Sequence, residues 1–300
     1  MKLNCAFYHF QTRSGAEVQS YRDWLWEQGT ALGLKGKVVV AGEGINGSVC
    51  GKEEAIESFK KLLSADNQGI FFKDNFTLGE DFKRLVVKVK KEIITMHRDV
   101  DMSLKAPHIS PRELLDIFES KSPEEFVLLD IRNGYEYDAG HFENSIKVDS
   151  HVFSEFEDFL PHIRDQVGKR TLITYCTGGI RCEKATALLA QKGGFGVPVY
   201  QLKGGILGYG ADVGDKYWKG KCVVFDKRAS VDIVPERQKE QPIPEQCGIC
   251  QLQIHEERSQ VECKCCRSVR QLCPRCRIRL EGYCSKACRT QETILDSKCP

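Results

Sequence analysis

Hydrophobic positions fall into two contrasting patterns along the chain. From Asn4 to Phe10 the residues read as a strand, Glu17 to Leu32 places Val18, Tyr21, Leu25 and Leu32 at helical spacing, and Lys37 to Ala41 is a β-branched strand. The order then repeats. After a turn at Gly42-Glu43-Gly44, a strand is expected over Gly44 to Val49. Glu53 to Leu63 turns Ile56, Phe59, Leu62 and Leu63 to one side of a helix, and Leu85 to Val89 is a further strand. This β-α-β-β-α-β succession predicts an α+β sandwich of the ferredoxin-like type over residues 1–95.

The second pattern is different. After residues 96–111, whose prolines, charges and lack of sustained period mark a linker, the apolar runs become short and continuous: Phe126 to Asp130, Leu172 to Tyr175, Val199 to Leu202. Such runs suit strands of a parallel sheet covered on both faces, with helical stretches at Ser154 to Gln166 and Cys182 to Gln191 as the covers. Residues 112–225 are therefore expected to form an α/β domain. In such sheets ligands gather at the carboxyl ends of strands, where Asp130 and Cys176 both fall. A polar, proline-bearing connector spans 226–246, and a small last segment spans 247–300.

Composition sharpens the picture mainly through cysteine. Three hundred residues at 41% hydrophobic content exceed what one small core needs, and a net charge of +2 says little. Fifteen cysteines are divided unevenly, five in the first 246 residues and ten in the last 54. There is no charged-then-apolar leader and no apolar run of about eighteen residues, so a cytoplasmic protein without a membrane span is expected and metal binding is favoured over disulfides. Cys247, Cys250, Cys263, Cys266, Cys273, Cys276, Cys284 and Cys288 read as three C-x2-C pairs and one C-x3-C pair, with Cys265 and Cys299 extra. Four thiolate pairs make two structural zinc sites, because so short a segment with few large apolar side chains cannot stabilise itself by burial. Two pairings are open: adjacent pairs share a metal, or the first joins the third and the second the fourth.

Candidate chemistry centres on Cys176-Thr177-Gly178-Gly179-Ile180-Arg181-Cys182, between the Leu172 to Tyr175 strand and a helix. A strand that breaks through glycines into a helix aims successive N–H groups and the positive helix end at one point, and Cys176 stands there. Such a site converts a thiol that is mostly protonated at neutrality into a thiolate. Arg181 either faces that sulfur or pairs with Asp130 or Glu136 to lock the loop. Cys182 either resolves an oxidised Cys176 or packs. Asp130 needs a partner at the end of an apolar strand. His141 is a general base or a fold-shaping residue, and Arg132 and Lys184 are phosphate contacts or salt-bridge partners. Between Cys265 and Thr290, Arg267, Arg270, Arg275, Arg277, Arg279, Lys286 and Arg289 oppose only Glu281, a local charge of +6 suited to phosphate binding or to a protein partner.

The loop has the C-x4-R form of rhodanese domains, one residue shorter than the C-x5-R loop of cysteine phosphatases, and Leu129-Asp130-Ile131-Arg132 with Gly140-His141-Phe142 looks like two further rhodanese marks. Together with residues 130–137, Gln-Leu-Lys-Gly-Gly-Ile-Leu at 201–207 and Gly-Glu-Gly-Ile-Asn-Gly at 42–47, the motif resembles the bacterial tRNA uridine-34 hydroxylase family over essentially the whole chain. The resemblance implies oxygen-dependent hydroxylation of the wobble uridine at carbon 5, tRNA as partner, and a reactive sulfur on Cys176 able to hold a persulfide. A persulfide or thiosulfate sulfurtransferase is the alternative. No Rossmann fingerprint or iron-binding motif is evident, so the residues name no organic cofactor.

Overall fold

In a computed structural model of the chain, the described residues are 2–77, 82–224 and 230–234, and, in the C-terminal segment, 245–247, 249–250, 253–254, 260–264, 269–283, 285 and 288–289. The N-terminal unit runs β1 (Lys2–Phe10), α1 (Gly15–Ala31), β2 (Lys35–Ala41), β3 (Gly44–Gly51), α2 (Glu53–Asp66), β4 (Phe71–Thr77) and β5 (Leu85–Val89). Helix α1 begins at a capping box in which Ser14 accepts from the Glu17 N–H and Glu17 reaches back to the Ser14 N–H. The sheet order is β4-β1-β3-β2-β5, antiparallel except where β5 joins β2 in parallel.

The last strand of the ferredoxin-like set is β4, and the expected last strand, Leu85 to Val89, is an additional edge on the far side of the sheet. Lys73, Asp74 and Asn75 break the hydrophobic run of β4, so the pattern hid a strand that pairs along only one side. Alternation along β1 sends Leu3, Cys5 and Phe7 into the core with Leu25, Ile56, Phe59 and Leu63. The intervening Asn4 and Tyr8 are also buried, on the opposite face.

The second unit comprises β6 (His108–Ile109), α3 (Pro111–Ser120), β7 (Phe126–Asp130), α4 (Gly134–Ala139), β8 (Gly140–Phe142), β9 (Ile146–Lys147), α5 (Leu160–Val167), β10 (Thr171–Tyr175), α6 (Ile180–Gln191), β11 (Val199–Leu202), α7 (Gly205–Asp212), β12 (Trp218–Gly220), β13 (Cys222–Val223) and β14 (Ser230–Val231). Its main sheet, β6-β11-β10-β7-β9, is parallel throughout. Both faces are covered: Val127, Leu129 and Leu172 join one apolar cluster, Leu128, Ile173 and Tyr175 the other. That two-sided burial explains why these strands read as unbroken apolar runs. The helix expected at Ser154 to Gln166 is a 3-10 turn over Phe153–Phe159 followed by α5. Strand β6 lies within the stretch read as a linker and closes one sheet edge.

The C-terminal segment contributes two short hairpins, β15 (Glu245–Gln246) with β16 (Gln253–Ile254) and β17 (Gln260–Glu262) with β18 (Val269–Gln271), and a helix over Pro274–Leu280. Its apolar centre is small: Cys247, Leu272, Cys273, Cys276 and Leu280, with Ile249 and Val261 beside them.

Candidate active site

Strand β10 ends at Tyr175, and Cys176 begins the loop into α6, with Asp130 opposite Tyr175 at the end of the neighbouring β7. Gly179 caps α6 at φ 100°, and a Cβ there would lie 2.9 Å from the Tyr8 hydroxyl, so both backbone and space demand glycine. The Gly179 N–H donates to Cys176 Sγ at 3.1 Å, and the N–H groups of Arg181 and Cys182 donate to it as well. The outward carbonyls are held from behind. Ile206 and Leu207, at the start of α7, donate their N–H groups to the Cys176 and Thr177 carbonyls at 2.9 and 3.2 Å. Gly205, at φ 59°, permits this, since a Cβ there would meet the Cys176 carbonyl oxygen at 2.3 Å.

Cys176 is fully buried, and burial alone would raise its thiol. The Cys182 thiol hydrogen-bonded to its sulfur, the Arg181 charge and the loop N–H groups outweigh that and bring it from 9.0 to about 6. It is therefore mostly thiolate at neutral pH. Cys182 goes the other way: burial, then the Cys176 sulfur beside it, push its thiol up, so Cys182 keeps its proton. Thr177, Gly178 and Ile180 stay half-exposed and form the open rim of the loop.

Arg181 is locked by Glu136. Its Nη1 and Nη2 donate to the two carboxylate oxygens at 2.7 and 2.8 Å, and Nη2 reaches Thr177 Oγ1 at 3.3 Å. Burial opposes the Glu136 carboxylate, but the Arg181 guanidinium holds it below the usual range. Arg181 thus acts on Cys176 through its field while Glu136 fixes its place. Asp130 and Arg132 form a second buried pair, with Arg132 Nη2 2.6 Å from Asp130 Oδ2 and 2.6 Å from the Gly140 carbonyl. Fully enclosed, Arg132 braces the strand ends instead of facing a phosphate. The His141 ring stacks on Tyr137 at 4.0 Å, and its Nδ1 lies 2.9 Å from the Tyr137 carbonyl oxygen, the geometry of a fold-shaping residue.

The N-terminal unit completes this site, which pattern reading missed. Tyr8 donates to Glu183 Oε1 at 3.2 Å, and Glu183 also pairs with Lys105 at 2.7 Å. Lys184, 1% exposed, pairs with Glu43 and Glu92 at 2.8 and 2.7 Å and donates to the Ile94 carbonyl at 3.0 Å, which makes it a latch between units. Glu43 belongs to the 42–47 glycine loop, so that motif serves the interface. The helical spacing of Glu183 and Lys184 gave no sign of partners 78 to 175 residues away.

Four sulfurs, of Cys247, Cys250, Cys273 and Cys276, lie within 4.8 Å of one another, with Cys250 and Cys273 Sγ 3.6 Å apart. Metal–sulfur bonds of about 2.3 Å in a tetrahedron place sulfurs about 3.8 Å apart, so the cluster can hold a metal ion. This joins the first pair with the third. Cys263 is buried and Cys288 half-buried, whereas Cys266 and Cys284 lie outside the described residues, as do Arg267, Lys286 and Cys265. Arg275, Arg277 and Arg279 are exposed on the helix over Pro274–Leu280, and Arg270 lies in β18. Arg289 pairs with Glu281 at 2.6 Å.

Comparison with known proteins follows the same divisions. The UPF0176 acylphosphatase like domain matches residues 3–93 and the rhodanese-like domain residues 110–212. The tRNA uridine(34) hydroxylase of Cytophaga hutchinsonii is 33% identical over 279 residues, covering 91% of this chain and 86% of that protein. The chain belongs to the tRNA uridine(34) hydroxylase family. Its relative in Cupriavidus taiwanensis is 36% identical across 86% of the chain and 91% of that protein, and the one in Bacillus licheniformis is 39% identical across 71% and 66%. Within this hydroxylase family member, the Cys176 loop, the Glu136–Arg181 pair and the Lys184 latch all fall in or between the two matched domains. No helix among the described residues is long and apolar enough to cross a membrane.

Proposed function

We propose that the protein hydroxylates carbon 5 of uridine 34 in tRNA with molecular oxygen, giving 5-hydroxyuridine, and that Cys176 is the reacting group. The observation that carries this is a thiolate seated in an N–H cradle within a chain that matches hydroxylases across nine-tenths of its length. Cys176 supplies the sulfur as thiolate or persulfide, whose negative charge the Gly179, Arg181 and Cys182 N–H groups accept. Arg181 lowers the cost of that charge, and the half-exposed rim of Thr177, Gly178 and Ile180 is where the uracil approaches.

The tRNA is held by phosphate contacts from Arg275, Arg277 and Arg279, with Arg267 and Arg270 adding to the positive charge of the same stretch of sequence. Arg275 lies close enough to Lys37 and to Tyr135 for its charge to reach both, and Lys88 and Lys90 act on Lys37 too, so cations of the first unit continue that charge past the site. Four thiolates favour zinc as the metal of the Cys247, Cys250, Cys273 and Cys276 cluster, where it would hold the basic helix in place. A second zinc on Cys263, Cys266, Cys284 and Cys288 follows from the same spacing. A protein acting on tRNA belongs in the cytoplasm.

The test is incubation of purified protein with unmodified tRNA in air, followed by nucleoside mass spectrometry. 5-Hydroxyuridine at position 34 is expected, with none from Cys176→Ala. Sulfur transferred to an acceptor without hydroxylation would favour the sulfurtransferase.

A further inference from the structure

Hydroxylation with molecular oxygen leaves an electron requirement that the thiolate alone does not meet. One oxygen atom enters the C5–H bond and the other must leave as water, which takes two electrons and two protons. A single thiol oxidised to a disulfide within one chain needs a second sulfur.

That second sulfur is in place. Cys182 sits in the first turn of α6, its N–H bonded to the Gly179 carbonyl at 3.0 Å, and its side chain belongs to the same apolar cluster as Cys176, near enough for each sulfur to act on the other's ionisation. Both side chains are 0% exposed. Other buried thiols of the chain lie elsewhere: Cys5 faces Asp74, and Cys222 lies beside Arg132. The pair is also chemically unequal, one member ionised and the other protonated, so oxidation begins at the Cys176 sulfur.

We propose that Cys176 and Cys182 are a two-electron redox pair that supplies the reducing equivalents for hydroxylation. The proposal rests on the hydroxylase reading above. In balance, the Cys176 thiolate and the Cys182 thiol form one S–S bond and release two electrons and one proton; with one further proton from water, molecular oxygen takes these up, one atom becoming the C5 hydroxyl oxygen and the other water. An external thiol then attacks one sulfur and releases the other, and a second thiol equivalent displaces the first as a disulfide, which restores both cysteines.

The experiment is a single turnover. Fully reduced full-length protein, freed of added thiol under nitrogen, is mixed with excess unmodified tRNA and then exposed to air; product is counted per chain, and disulfides are mapped by mass spectrometry after alkylation. About one 5-hydroxyuridine per chain and a Cys176–Cys182 linked peptide are expected, with many turnovers once dithiothreitol is added. Cys182→Ser and Cys182→Ala should yield at least about tenfold less product per chain without added thiol. Wild-type product without a Cys176–Cys182 disulfide, or undiminished product from the folded Cys182 variants, would overturn the redox pair while leaving the hydroxylase standing. No product from wild type even with dithiothreitol would overturn the hydroxylase reading, and the pair with it.

Discussion

The chain uses cysteine in two opposite ways. At Cys176 the fold makes the sulfur: a parallel sheet with both faces covered, an N–H cradle and an arginine locked by Glu136 force one thiol to ionise. At Cys247, Cys250, Cys273 and Cys276 four sulfurs gather where a metal ion can sit, and among the described residues around them the buried aliphatic side chains are Leu272 and Leu280. The difference lies in where the stabilising free energy comes from. A buried apolar core can bear the burden of an ionised sulfur, whereas a short segment with little apolar burial gains most from a metal ion when one is bound.

Removing metal should break the comparison most sharply. Chelation is expected to unfold the C-terminal module, whose metal binding is worth on the order of 10–16 kcal/mol if it resembles small zinc modules. Hydrogen exchange should then rise across residues 245–289 while protection of β10 and α6 is unchanged. Conversely, Cys176→Ala should lower hydroxylation by more than about a thousandfold, on the scale of nucleophile deletions, with the module and its metal intact.

Glu136→Gln leaves Arg181 without its buried counter-charge and should cost about 3–5 kcal/mol of stability in denaturant melts. It should also move the Cys176 ionisation midpoint further down, since the arginine charge is no longer neutralised. That pairing of lower stability with a more acidic thiol separates an electrostatic lock from a mere packing contact.

The pH dependence follows from the lowered Cys176 value. Below about pH 6 the thiol is protonated folded or unfolded and contributes nothing to the pH dependence of stability; between about 6 and 9.0 the folded state alone carries thiolate, and its contribution grows to its full size above 9.0. Hydroxylation should therefore fall away as pH drops through about 6. The stability of wild type relative to Cys176→Ala should rise from pH 6 to 9, as thiolate ultraviolet absorbance and melts can show. The smallest effect is expected from Tyr8→Phe, which removes one hydrogen bond to Glu183 and should cost about 1 kcal/mol.

Legibility in the sequence tracked the range of the interactions. The Cys176 cradle is made by residues within six positions of one another, so the glycines and Arg181 announced it, and strands β7 and β11 were readable to the residue because two-sided burial writes continuous apolar runs. Two roles were open for Arg181, and the choice fell to a Glu136 forty-five positions away. Tyr8 reaches Glu183 across 175 positions, and no local period marks which face of β1 meets the other unit. Strand β4 was hidden because an edge position tolerates charges that a central strand does not. The first-with-third cysteine pairing needed coordinates, since spacing alone allows both.

Hydroxylation of uridine 34 through Cys176 can be followed in cells lacking the gene and supplied with either wild type or Cys176→Ala, by mass spectrometry of their tRNA nucleosides. The account predicts 5-hydroxyuridine and its derivatives at position 34 with wild type and none with the variant at equal protein levels. Equal amounts in both strains would contradict it.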